Sequence, residues 1–325
     1  MQAKVLVVGG AGYIGSHMVR MLCESGVPTL VLDDMSAGYS DAVNGAELLI
    51  GDMGDGALLD RVFAEHQIDA VMHFASFIQV GESVKHPAKY FDNNIGKTII
   101  LLNSMARNGI HHFIFSSTAA VFGDPETSRI GESHPKKPIN PYGKSKLIVE
   151  ELLADYELAY GLRSVCLRYF NAAGAHPDGS LGERHVPETH LIPLAIQAAL
   201  GANAALTVYG ADYPTPDGTC VRDFIHVCDI AAAHQRALEH LRDGGRSLKL
   251  NLGNGAGYSV KEIIDTVSRL SGHPVPHNIS SRRSGDPAIL VADSQEAKKT
   301  LGWTPEFCSL DDIIGHALNY YKLHQ

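Results

Sequence analysis

Lys4-Val5-Leu6-Val7-Val8 runs directly into Gly9-Gly10-Ala11-Gly12-Tyr13-Ile14-Gly15, and then into a helical stretch that closes at Ser25-Gly26. An apolar strand, a glycine turn and a helix, in that order, open a nucleotide-binding βαβ unit. The missing side chains let backbone N–H groups approach a pyrophosphate, and the helix N-terminus adds a favourable dipole. Glycine spacing alone is a weak signal, because tight strand-to-helix turns also need glycine for steric reasons. Here the context strengthens it: a strand before, a helix after, and an acid at the end of the second strand.

That acid is Asp33, in Val31-Leu32-Asp33-Asp34. A carboxylate there can accept bonds from adenosine ribose hydroxyls and would repel a 2′-phosphate. The loop Met35–Asp41 holds no Arg or Lys to receive such a phosphate, so the expected cofactor is NAD rather than NADP. Asp52, after the third strand, reads either as a partner of the adenine amino group or as a solvated turn residue.

Outward from this turn, further short apolar strands read at Thr29–Leu32, Glu47–Ile50, Ala70–Phe74, His112–Ser116 and Ser164–Arg168. Amphipathic stretches such as Leu58–His66 and Thr98–Asn108 lie between them. Near-continuous apolar strands separated by helices imply an α/β doubly wound parallel sheet, with ligands at the carboxyl rim. After Asn171 the texture changes. Ala172–Pro187 and Tyr209–Thr219 are rich in Gly, Pro and Asp and read as long functional loops. The expected organisation is a nucleotide-binding domain over 1–171 and a smaller α/β substrate lobe over 172–325.

A second chemical signal sits at Asn140-Pro141-Tyr142-Gly143-Lys144-Ser145-Lys146. Asn140 reads as an N-cap with Pro at the first helical position, and the helix then runs to Gly161. Tyr142 and Lys146, four apart, share one face. The ammonium is expected to lower the phenol's pKa and make Tyr142 a general base near neutral pH. Tyr-x-x-x-Lys is common by chance, but the strand end Ser116-Ser117-Thr118 also emerges at the ligand rim, where Thr118 can share a proton relay.

The bulk numbers exclude other classes. The 325 residues are 45% hydrophobic and 19% charged, ordinary for a globular protein. A net charge of −9 argues against a nucleic-acid surface, although a few local arginines can still bind a small anion. No apolar run approaches the roughly 20 residues of a membrane helix. Met1-Gln2-Ala3-Lys4 leads straight into the first strand without a signal-peptide pattern, so a cytoplasmic protein is expected. Cys23, Cys166, Cys220, Cys228 and Cys308 are odd in number and widely spaced, and read as free thiols. Among the 17 histidines no His-x-x-x-His or Cys-x-x-Cys spacing stands out, and no metal site is expected.

Taken together, the glycine turn, the Ser-Ser-Thr strand end and Tyr142-Gly-Lys-Ser-Lys146 resemble the extended short-chain dehydrogenase/reductase superfamily, whose sheet is Rossmann-like. More narrowly, His73-Phe74-Ala75, Val80-Gly81-Glu82-Ser83-Val84, Asn93-Asn94, Leu167-Arg168-Tyr169-Phe170-Asn171, Gly210–Thr215 and Gly218–His226 resemble the UDP-glucose 4-epimerase family. The resemblance runs from Val5 to Trp303.

It implies Tyr142 as base, Lys146 on the nicotinamide ribose and Thr118 on the sugar's reacting oxygen. Around NAD it places Gly9, Gly12, Tyr13, Ile14, Gly15, Asp33, Asp52, Met53, Phe74, Ala75, Asn93, Ser116 and Tyr169. Around a UDP-hexose it places Asn171, His190, Leu191, Tyr209, Arg222, Arg283, Asp286 and Leu290, and it implies a homodimer. Guanidinium forks suit a diphosphate, and an acceptor-only carboxylate suits ribose hydroxyls.

Three departures stand out: His190 where many members carry Asn, Ile78 in place of a lysine, and Leu290 where some members have Tyr and others a small residue. The last leaves open whether N-acetylated UDP-hexoses are turned over. A dehydratase or decarboxylase on this scaffold is disfavoured, because Ala119-Ala120-Val121 after Thr118 offers no carboxylate. A non-catalytic NAD-sensing regulator would not need Tyr142, Lys146 and Thr118 together.

Overall fold

The computed structural model describes residues 3–202, 205–283 and 286–324. In the first half, strands β1 (Lys4–Val8), β2 (Thr29–Asp33), β3 (Glu47–Ile50), β4 (Ile68–His73), β5 (His112–Thr118), β6 (Arg129–Ile130) and β7 (Arg163–Tyr169) alternate with helices. Those helices are α1 (Tyr13–Glu24), α2 (Gly56–Glu65), α3 (Val80–Lys85), α4 (Pro87–Phe91), α5 (Thr98–Arg107) and α6 (Pro141–Tyr160). The second half adds β8 (Asn171–Ala173), α7 (Leu191–Ala199), β9 (Leu206–Tyr209), β10 (Val221–Arg222), β11 (Phe224–His226) and α8 (Val227–Arg242). It continues with β12 (Leu248–Leu252), β13 (Tyr258–Ser259), α9 (Val260–Ser271), β14 (His277–Ser280), β15 (Ile289–Ala292), α10 (Gln295–Leu301) and α11 (Leu310–Leu323).

Seven strands form the main sheet in the order β12-β7-β5-β4-β1-β2-β3, and each neighbouring pair is parallel. All five residues of β2 are buried, as are Val5–Val8 of β1, which is why both read as unbroken apolar runs. The chain lays down β1, β2 and β3 in one direction, then returns to the other side of β1 with β4. That reversal is the topological switch point, where the carboxyl ends of strands open a crevice.

The second half does not stay in the second lobe. Helix α8 packs on α1, and β12 pairs with β7 from Leu248↔Val165 to Leu252↔Tyr169. In return, β6 from the first half joins the sheet β13-β10-β15-β6 of the smaller lobe. The chain therefore crosses the boundary read at residue 171 in both directions. A sheet edge at β7 would expose unpaired backbone groups, and β12 covers it. The smaller lobe has its own apolar core, in which Ile192, Ile196, Val208, Phe224, Ile263, Val267, Ile313 and Ile314 are buried. Among the described residues no helix is long and apolar enough to cross a membrane.

Candidate active site

The glycine turn lies at the switch point. At Gly9 φ is +80°, and a Cβ there would stand 2.5 Å from the Ala75 backbone nitrogen, so the turn and the end of β4 can touch only through glycine. Gly12 is the N-cap of α1, which has no side-chain cap and no acid in its first turn. Its leading N–H groups thus suit an anion, as a pyrophosphate would supply. Gly15 and Ile14 lie in the first turn of this helix, and the Tyr13 hydroxyl reaches across to donate to the Gly174 carbonyl at 2.7 Å.

Asp33, 7% exposed at the end of β2, accepts from the N–H groups of Ala11 and Met35, both at 2.9 Å. Burial raises its pKa, opposed by those two N–H groups. Two further lone-pair positions on the carboxylate are available for a ligand's hydroxyls. Asp52 carries a partner that sequence reading missed: Lys97, from the π-helical segment 92–97, pairs with it at 2.6 Å. The choice between adenine partner and solvated turn thus gains a third element, a lysine beside the same rim. Met53 is buried in the core under β1 and β2, Phe74 packs on His234 at 4.8 Å between ring centres, and Ala75 faces Gly9. Asn93 is half-buried, and its amide donates to Asn94, whose own side chain locks to Phe77 and Ser145.

The helix α6 begins as its sequence predicts, with Asn140 accepting from the Gly143 N–H at 2.8 Å and Pro141 in the first turn. Gly143 sits so close to the Ala120 carbonyl that a Cβ would collide with it. This contact brings the first turn of α6 against the 3₁₀ turn 119–122 that Thr118 caps. Tyr142 and Thr118 meet there through their hydroxyls. One turn on, Lys146 is 2% exposed, donates to Ser76 Oγ and the Ser116 carbonyl at 2.8 Å each, and lies over the Phe115 ring. Ser116 and Tyr169 join hydroxyl to hydroxyl beside it.

The electrostatics differ from expectation. Burial pushes the Tyr142 phenol up, and the opposing influence is the Thr118 hydroxyl rather than Lys146. Burial also lowers Lys146 itself, to about 7. The ammonium is turned to Ser76 and Ser116, so the helical spacing alone overstated its pull on the phenol.

Behind this face, Glu150 accepts from Ser117 Oγ at 2.6 Å and from Arg168 Nε at 2.8 Å. The pair is sealed, with side chains 0% and 1% exposed. It bolts α6 to β5 and β7, and this pairing was not read from sequence, because charged side chains usually face water.

Across the crevice, Arg222 on β10 stands in register with Leu290 on β15 and is ion-paired with Asp286. The Arg283 guanidinium lies over the Tyr209 ring at 3.9 Å. Asn171 pairs in register with Phe224 and donates its amide to the Asp223 carbonyl. Leu290 packs against the buried cluster of Val121, Phe122 and Ile130, which Leu147 of α6 and Phe170 also cover, so it lies where the two halves of the chain meet. His190 is the N-cap of α7, with Leu191 as its first residue and no side-chain cap bond. It also meets Glu183, His185 and Glu188, a grouping whose spacing is neither His-x-x-x-His nor Cys-x-x-Cys.

Residues 5–253 match the NAD dependent epimerase/dehydratase family. The chain is 50% identical over 320 residues to the UDP-glucose 4-epimerase of Halalkalibacterium halodurans, covering 98% of this chain and 96% of that one. It superposes on the crystal structure of UDP-glucose 4-epimerase from Brucella ovis in complex with NAD with TM-score 0.96 and 49% identity, covering 98% of each chain. For UDP-glucose 4-epimerase from Bifidobacterium longum in complex with NAD+ and UDP, the TM-score is 0.93 at 40% identity, over 99% of this chain and 98% of that one. With this sheet, this glycine turn and likeness over nearly its full length, the chain belongs to the NAD dependent epimerase/dehydratase family, among the UDP-glucose 4-epimerases.

Proposed function

We propose that this chain is an isomerase that interconverts UDP-galactose and UDP-glucose by transient oxidation at C4, with Tyr142 as its acid–base residue. The observation that carries this reading is the meeting of Thr118, Tyr142 and Lys146 at the carboxyl rim of β5, beside the uncapped N-terminus of α1. When bound there, NAD supplies a reversible hydride acceptor. The residues suit it: free N–H groups for the pyrophosphate, and Asp33 for the adenosine ribose. Gly9, Gly12, Tyr13, Ile14, Gly15, Asp52, Met53, Phe74, Ala75, Asn93, Ser116 and Tyr169 complete the proposed surround.

Tyr142 takes the 4-hydroxyl proton and later returns it. Its raised pKa in the protein alone means that a cationic ring beside it would have to favour the phenolate. Thr118 holds the same oxygen, while Lys146 orients the ribose from its Ser76 and Ser116 anchors. Arg222 and Arg283 grip the diphosphate; Asp286, Asn171, Tyr209, His190 and Leu191 seat the rest of the nucleotide. Held by its UDP group, the 4-keto sugar turns its other face, and binding energy remote from C4 restrains it meanwhile. The buried turn Ala119–Phe122 offers no carboxylate for elimination, which disfavours a dehydratase.

The labour divides by lobe. Residues up to 171, with 227–252 added, hold NAD, and the remainder holds the UDP-sugar. A cytoplasmic homodimer completes the proposal, supported by apolar side chains left exposed on α5 and α6, namely Ile100, Leu158 and Tyr160. The test is to wash the purified protein, supply UDP-galactose without added NAD, and identify the product. UDP-glucose is expected, with nucleotide released on denaturation. A washed protein that is active only with added millimolar NAD would refute the closed cycle.

A further inference from the structure

The segment Glu183-Arg-His185-Val-Pro-Glu188-Thr-His190 contains two Glu-x-His pairs, and the fold gathers all four side chains. One candidate ligand atom from each lies within 4.8 Å of every other. Glu183 Oε1 is 2.8 Å from His185 Nδ1 and 2.6 Å from His190 Nδ1, and Glu188 Oε1 is 3.3 Å from His190 Nδ1. Tetrahedral coordination at 2.0–2.2 Å places neighbouring ligand atoms roughly 3.3 Å apart, so these three separations need to open by less than about an ångström and no other pair needs to close by more than about 1.5 Å.

A second observation points the same way. The two carboxylates are deeply buried, with side chains 4% and 6% exposed. Among the described residues, no Lys or Arg pairs with either one. Glu188 Oε2 is buried without a hydrogen-bond partner, and so is His190 Nδ1, despite its short approach to Glu183. Buried polar atoms are normally satisfied. Glu188 Oε1 already accepts from the Thr189 and His190 backbone N–H groups, so a buried carboxylate oxygen left without a partner in a cluster with two imidazoles marks a place able to take a shared central atom. The rest of the His190 ring is open, its side chain being 44% exposed.

We propose that Glu183, His185, Glu188 and His190 bind one divalent transition-metal ion of the zinc class, independently of the chemistry at Tyr142. Two imidazoles and two carboxylates make an N₂O₂ set suited to Zn²⁺ or Co²⁺. All four positions come from protein, so the ion is structural rather than hydrolytic. It fixes the loop that delivers His190 to the N-terminus of α7. The same loop leans on the first lobe, where the Tyr13 ring stands edge-on to His185 and the Tyr39 hydroxyl donates to the Arg184 carbonyl. The ion thereby ties the two lobes together. Binding displaces imidazole protons, so affinity rises from pH 6 to pH 8.

Tag-free full-length protein, stripped with EDTA and dialysed, is titrated with Co²⁺ and then with Zn²⁺. The expected result is one ion per chain, the intense visible bands of four-coordinate Co²⁺, their loss on addition of Zn²⁺, and a melting temperature raised by about 4 °C at a hundredfold excess over Kd. His185→Gln and Glu188→Gln should each weaken binding at least tenfold. Wild-type protein that takes up no stoichiometric Co²⁺ or Zn²⁺ overturns the proposal. So does uptake that both variants leave unchanged, since the ion would then sit on other histidines.

Discussion

Replacing Glu150 by Gln tests whether the buried pair behind Tyr142 braces the site. The substitution keeps the volume and removes the charge. Arg168, 1% exposed and set over the Phe122 ring, would keep its guanidinium charge with no carboxylate bonded to it and only the more distant Glu132 to offset it. Breaking a buried pair from one side costs about 3–5 kcal/mol, because the remaining charge stays desolvated. For 325 residues, an unfolding entropy of about 2.1 cal/mol/K per residue sums to roughly 0.7 kcal/mol/K. The melting temperature should therefore fall by about 4–7 °C. The loss should reach catalysis as well, since Glu150 is two turns from Tyr142 on α6 and its partners lie on β5 and β7. Circular dichroism melts of wild type, Glu150→Gln, Arg168→Met and the double variant form the cycle. The double variant should recover part of what either single change loses, because no orphan charge remains. A Glu150→Gln melt within 1 °C of wild type would refute the brace, as would a double variant whose loss equals the sum of the two singles.

Other outcomes follow from the same geometry. Tyr142→Phe should lower kcat by at least about a hundredfold, the scale for deleting a general base, while retaining NAD; Thr118→Ala should lose less, and near-wild-type turnover in the tyrosine variant would remove it from the mechanism. Leu290 packs against the cluster of Val121, Phe122 and Ile130, so Leu290→Tyr should overpack that wall by about 1–3 kcal/mol. Turnover of UDP-N-acetylgalactosamine, slower than that of UDP-galactose but measurable in wild type, should then fall roughly tenfold or more, with galactose activity little changed; equal loss of both would dismiss Leu290 as the gate. His190 is raised to about 10 by the carboxylates of Glu183 and Glu188 against its burial. A raised folded pKa gives stability that is full below about pH 6.5 and lost as pH climbs through about 10. In EDTA, the melting-temperature gap between wild type and His190→Asn should accordingly shrink from pH 6.5 to pH 10, and a gap that widens would contradict the charge pairing.

Local physics is what the sequence could report. Apolar runs placed β1 and β3 at their observed bounds, and Asn140-Pro141 with Gly161 marked both ends of α6, because strands, caps and glycine turns are decided by residues next to one another. The same locality put Tyr142 and Lys146 on one helical face. What no local pattern contains is which distant group arrives there. Lys146 turns to Ser76 and Ser116 rather than to the phenol, Lys97 reaches Asp52 from 45 residues away, and Arg168 finds Glu150 across two elements. The return of β12 to the sheet edge was hidden for a similar reason: Leu248–Leu252 reads as an ordinary short strand anywhere, and only the unpaired edge of β7 gives it its place. The Glu183–His190 grouping lies between these cases. Its residues are neighbours in the chain, yet the loop's path alone turns both carboxylates inward to meet two imidazoles. Burial and charge pairing are properties of the assembled molecule, and the tertiary structure decided them.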